Sequence, residues 1–137
     1  MTTAGYSKTP LLKKLGLKTT HKLLLINEPP DYHKLIEADI SEQLCKKNET
    51  PDFIHFFVKN KIELATAIKK IKPFYKKKST IIIWVSWLKK SSGLSSDVDE
   101  DVIRNLALQN DLIDVKVCAV SNIWSGLKLV VPLKKRL

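Results

Sequence analysis

The chain has 137 residues, is 44% hydrophobic and carries a formal net charge of +10, which suits one domain with a continuous core and is too short for two. No run of about 18 apolar residues occurs, and the stretch Met1 to Pro10 is polar and lacks an apolar h-region, so neither a membrane span nor a secretory leader is expected and the chain is placed in the cytoplasm. Cys45 and Cys118 lie far apart without Cys-x-x-Cys or Cys/His spacing; reduced thiols are expected, with no metal and no cofactor.

The charge invites a nucleic-acid reading, because cationic surfaces gain affinity by releasing phosphate counterions. Yet only Arg104 and Arg136 of the 24 basic residues are arginine, and bidentate recognition of phosphate or base edges favours the guanidinium over lysine. Residues 59–90 hold ten lysines against Glu63, a net of +9, and residues 97–114 hold six acids against Arg104, a net of −5. The domain is therefore dipolar and suited to one anionic partner surface.

In chain order, residues 1–8 read as a flexible arm, and residues 9–137 as a single domain. Thr9, Pro10 and Gly16 bracket a short helix as N-cap, first helical residue and left-handed stop, with Leu11, Leu12 and Leu15 as its buried stripe. Lys22 to Ile26 reads as a buried strand. In a nucleotide-binding βαβ unit it would run into a glycine-rich turn; here it meets Asn27, Glu28, Pro29 and Pro30, which remove N–H donors and repel an anion. Asp31 is expected to cap a helix reaching Ala38, with Tyr32, Leu35 and Ile36 inward. Residues 40–49 are weakly patterned, and a short edge strand around Ser41 to Cys45 is favoured over plain loop.

Phe53 to Val58 reads as a second buried strand, with His55 a packed core histidine rather than a general base. Asn60 and Glu63 form a capping box that opens the longest helix, to Tyr75. Leu64, Ala67, Ile68, Ile71 and Tyr75 share its inner face, and Lys61, Lys69, Lys72 and Lys76 fall on an adjacent basic ridge. Thr80 to Val85 is the most strand-like run and continues into Ser86, Trp87 and Leu88, then the polar loop Lys89, Lys90, Ser91, Ser92 and Gly93. Asp99 caps a helix to Gln109, with Val98 and Ile103 as a hydrophobic staple. Leu112 to Val120 and Trp124 to Val131 read as strands whose connection of Ser121, Asn122 and Ile123 forces antiparallel pairing, with Gly126 marking a bulge or a close approach.

This alternation predicts a Rossmann-like three-layer α/β/α domain, mainly parallel and closed by a C-terminal antiparallel hairpin. The start Met1-Thr2-Thr3-Ala4-Gly5-Tyr6-Ser7, the run Trp84-Val85-Ser86-Trp87 with Lys89-Lys90-Ser91-Ser92, and the blocks Asp114 to Val120 and Trp124 to Lys128 resemble a bacterial family known as a domain of unknown function, a resemblance that brings no activity with it. More distantly the element order is similar to the fold of S-adenosylmethionine-dependent methyltransferases, but the glycine-rich cofactor loop and the acid closing a clear second strand are missing, which implies a degenerate scaffold.

No catalytic constellation is legible. The leading expectation is a non-catalytic interaction or regulatory module that meets a protein partner through Ser86, Trp87, Lys89, Lys90, Ser91, Ser92 and Trp124, since α/β sheets gather ligands where their strands end. Two alternatives stay open: a small anionic ligand, phosphate or carboxylate, held by the same lysines and hydroxyls, and nonspecific nucleic-acid binding through Lys61, Lys69, Lys72 and Lys76. No membrane partner is expected.

Overall fold

A computed structural model describes residues 10–136; the expected N-terminal arm and the Thr9 cap lie outside these residues. Helix α1 (Leu11–Leu15) starts after Pro10 and stops at Gly16, whose φ of 75° needs the freedom glycine has. Strand β1 (Leu23–Ile26) is followed by α2 (Tyr32–Ile36), β2 (Phe53–Val58), α3 (Lys61–Lys77), β3 (Ile82–Leu88), α4 (Glu100–Gln109), β4 (Ile113–Ala119) and β5 (Trp124–Val130). The sheet order is β1-β2-β3-β5-β4. β1, β2 and β3 pair in parallel, while β5 runs antiparallel to both β3 and β4.

The strands β2 and β3 are apolar without alternation because both of their faces are covered. On one face Ile54, Phe56, Val58, Ile83, Val85 and Trp87 meet Leu64, Ile68, Ile71 and Tyr75 of α3 and Ile103 and Ala107 of α4. On the other, Phe53, Phe57, Trp84 and Leu88 meet Leu15 of α1 and Tyr32 and Ile36 of α2. Trp84 is fully buried there, and its indole N–H donates to the Leu15 carbonyl at 2.8 Å, tying α1 to the central strand.

The N-caps of α3 and α4 act as the sequence predicts. Asn60 accepts the Glu63 N–H at 2.8 Å, while the Glu63 carboxylate reaches past Asn60 to accept the Lys59 N–H at 2.6 Å. Asp99 accepts the Val102 N–H at 2.9 Å, and Val98 and Ile103 are both buried as the staple requires. Each such cap contributes about 1 kcal/mol.

Three expectations are corrected, and of the two alternatives at Gly126 the structure selects one. Asp31 makes no capping bond; the turn is closed instead by the Tyr32 N–H donating to the Pro29 carbonyl, and the helix ends early because Glu37 adopts a left-handed conformation at φ 60°. The Ser41 to Cys45 segment is not a strand. Asp39 accepts both the backbone N–H and the hydroxyl of Ser41, and this Asx turn winds Ser41–Gln43 into a single 3-10 turn. Only Leu44 then reaches the sheet, in one parallel bridge to Leu23. Gly126 sits in regular strand, and the register shift lies in β4 between Asp114 and Lys116. Gly126 is a close approach, since a Cβ there would lie 3.0 Å from Val120 and 3.2 Å from the Trp84 ring. Finally, α3 runs two residues past Tyr75, to Lys77.

Candidate functional site

The carboxyl ends of β1, β2 and β3 share one edge of the sheet, the place where open α/β sheets hold their ligands. Two different surfaces occupy it. After β3 the chain forms a 3-10 turn, Lys90–Ser92, closed by Gly93 at φ 76°. The Ser92 hydroxyl donates to the Lys89 carbonyl at 2.6 Å and accepts the Leu94 N–H at 3.1 Å, and the Lys89 N–H donates to Ile123 of the β4–β5 connection at 2.9 Å. The turn is thus held at both ends. Lys90 and Ser91 are exposed, Lys89 and Ser92 half-buried, and Leu94 is left 51% exposed.

Three of the residues expected to face a partner do not reach the surface. β3 extends through Leu88 because β2 and β5 pair with it that far, Val58 against Trp87 and Trp124 against Leu88. Trp87 is consequently 8% exposed, packed among the α3 and α4 side chains, and Trp124 is 5% exposed, edge-on to Phe57 with ring centres 5.0 Å apart. Ser86 is wholly buried, 2.7 Å from Nε2 of His55.

That serine belongs to a polar chain that local sequence reading misses, because its members are 31 and 23 residues from His55. His55 Nδ1 lies 2.8 Å from the Tyr32 hydroxyl, so one imidazole joins β3 to α2 across the core. His55 itself has no exposure and stacks on Phe57 at 4.4 Å. Burial pushes its pKa down to about 3 and pushes the Tyr32 phenol well up, so both groups are neutral near pH 7. A serine beside a histidine is the pairing of a nucleophile and its base, but both are sealed from solvent, and a nucleophile must meet its substrate. The chain satisfies buried polar groups and orients Tyr32.

The second surface is a cleft of about 670 Å³ beside β1, within the range of small-molecule sites. Leu25, Pro29, Pro30, Tyr32, Ile40 and Leu44 provide its apolar wall, and Glu28, His33, Asp39 and Ser41 its polar lining. It exists because β1 is an edge strand and the following chain winds into turns instead of pairing along it. Asn27, left-handed at φ 56°, turns the chain out of β1 where a nucleotide-binding unit would place glycine.

The lysine ridge of α3 is partly spoken for. Lys76 pairs with Asp111 at 2.5 Å, Lys72 donates to Asn110 at 3.3 Å, and neighbouring Lys78 pairs with Asp52. Lys61 and Lys69 are exposed. Among the described residues no group of three or more His, Cys, Asp or Glu side chains is arranged to hold a metal ion. No described helix is long and apolar enough to cross a membrane.

Three parallel strands, an antiparallel closing pair and helices on both faces make this a Rossmann-like α/β domain. No family model and no curated protein matches the chain. Among solved structures it is similar to a protein in the NADB-Rossmann superfamily from Streptococcus agalactiae, with a TM-score of 0.55 and 10% identity over 91% of this chain and 69% of the other. It is also similar to an uncharacterized protein from Listeria monocytogenes serotype 4b, with a TM-score of 0.59 and 10% identity over 96% of this chain and 70% of the other. At that identity the likeness carries the fold alone.

Proposed function

We propose that the domain is a non-catalytic interaction module on a degenerate Rossmann-like scaffold, docking an acidic protein surface on the turn after β3. The observation that carries this reading is the turn itself, braced at both ends and presenting Lys89, Lys90 and an exposed leucine. A preorganised turn loses little entropy on binding, Leu94 supplies an apolar anchor, and the lysines supply the polar rim. The Ser96 hydroxyl donates to the Lys59 carbonyl at 2.9 Å, tying the chain beyond the turn to the end of β2.

The anionic small-ligand alternative fares less well at this turn. Ser92 already uses its hydroxyl locally, and the hollow beside Lys90 measures about 150 Å³, below the range of small-molecule sites. Nucleic-acid binding through the ridge is weakened by the pairing of Lys72 and Lys76.

Affinity capture at moderate salt with three variants tests the reading. Lys89→Ala with Lys90→Ala should weaken capture of an acidic partner by about 2 to 5 kcal/mol if the contacts are buried, and by less at a rim. Leu94→Ser should weaken it too, whereas Lys69→Ala with Lys72→Ala, which removes the same charge, should not. Equal loss from both lysine pairs, with a steep salt dependence, would point to nucleic acid; capture unchanged by the loop pair and by Leu94→Ser would end the proposal.

A further inference from the structure

The cleft beside β1 is walled by one of two acidic stretches in a basic chain, the other being residues 97–114. Residues 28–44, which form most of its wall, hold five acids against Lys34, a net of −4 in a chain whose total is +10. Two of those acids, Glu28 and Asp39, line the cleft, and neither forms an ion pair with a lysine or arginine among the described residues. The hydrogen bonds from Ser41 hold Asp39 below the usual carboxylate range, and His33 beside it acts in the same direction, so the carboxylate is ionised at neutral pH. Glu28 lies close enough to Tyr32 to add to the upward shift of the phenol.

The backbone has the same bias. Pro29 and Pro30 have no N–H, and the Tyr32 N–H is already donated to Pro29. Along β1 the Lys22 carbonyl accepts the Phe53 N–H, so alternation turns the backbone of Lys22, Leu24 and Ile26 toward β2 and that of Leu23 and Leu25 away. Leu23 is taken by the Cys45 N–H at 2.7 Å, which leaves the Leu25 peptide groups at the cleft edge. Beyond the Leu25 N–H and the His33 imidazole the site offers mainly acceptors, two of them carboxylates, the reverse of a phosphate cradle.

One free residue of strand edge is too short a template for an added peptide strand. The apolar wall still needs an occupant: Leu44 is 42% exposed with its side chain on the cleft. We propose that this cleft is a binding site for a compact organic cation, an amine or quaternary ammonium on an apolar body, with the body against Leu25, Pro30, Ile40 and Leu44 and the charge toward Glu28 and Asp39. It is separate from the turn after β3 and would make the domain an interaction module that also carries a small-molecule site.

Three probes with one apolar body test the proposal: phenethylamine, 2-phenylethanol and phenylacetate, titrated into the full chain and followed by amide chemical shifts. Phenethylamine should give saturable shifts at Leu25, Glu28, Tyr32 and Leu44, with a Kd on the order of 1–10 mM for so small a fragment. Phenylacetate should bind at least about tenfold more weakly, the effect of one charge-assisted contact. Glu28→Gln with Asp39→Asn should abolish the preference for the amine, while Glu42→Gln, which alters an acid outside the cleft, and the Lys89 and Lys90 pair should leave it. The double variant must keep its dispersed spectrum; if it does not, Glu28→Gln alone, which removes no hydrogen bond, carries the test. Equal binding of the three probes, shifts centred elsewhere, or no saturable shift from the amine would each overturn the assignment.

Discussion

The turn after β3 and the cleft after β1 stand at the same edge of one sheet and are built in opposite ways. β3 lies between two strands, so its pairing carries it through Leu88 and buries Trp87; what remains for solvent is a short, braced, basic turn. β1 has a neighbour on one side only, apart from the single bridge to Leu44, so the chain beyond it is free to wind outward and leaves an acidic hollow. Strand position, more than loop composition, decides whether a carboxyl end becomes a projection or a pocket. His55 connects the two regions, with Tyr32 of the cleft wall on one ring nitrogen and Ser86 of β3 on the other.

The largest expected effect is on that connection. A buried histidine whose pKa falls from 6.5 to about 3 binds fewer protons folded than unfolded, so stability is complete above the unfolded value and falls as the pH drops through the interval. The loss should accumulate progressively across that window. Thermal midpoints from pH 7 to pH 4 should fall steeply in the natural chain and less so in a His55→Asn variant; parallel curves would show that His55 is not the group responsible. His21, also lowered by burial, contributes with the same sign and remains in both proteins.

Tyr32→Phe separates the two regions. It keeps the cleft's apolar wall but leaves His55 Nδ1 without its partner, at a cost of about 1–3 kcal/mol. Hydrogen exchange should then quicken in α2 while the Lys89–Ser92 turn keeps its protection, and equal loosening of both would mean the histidine holds the sheet as one unit. Asn60→Ala should cost about 1 kcal/mol through its single capping bond, read as a lower denaturant midpoint with unchanged slope. Least of all, Lys89→Ala with Lys90→Ala should move stability by about 0.5 kcal/mol or less, since no capping bond or core packing depends on either side chain. A larger loss would show the turn to be part of the folding core and confound its use as a docking probe.

What the sequence by itself determined is local and periodic. Gly16, Asn60 with Glu63, and Val98 with Asp99 and Ile103 are read correctly because caps and staples act within four or five residues. The order of elements, the closing hairpin and the close approach at Gly126 follow from apolar runs and from a connection too short for a crossover. Only the tertiary structure decided the rest. It brought Tyr32 and Ser86 to His55, and it buried Trp87 and Trp124 by extending β3 between two partners. The physical reason is common to both: burial and pairing depend on residues far along the chain, so a tryptophan beside a lysine-rich loop reads the same whether it projects from the sheet or packs beneath it.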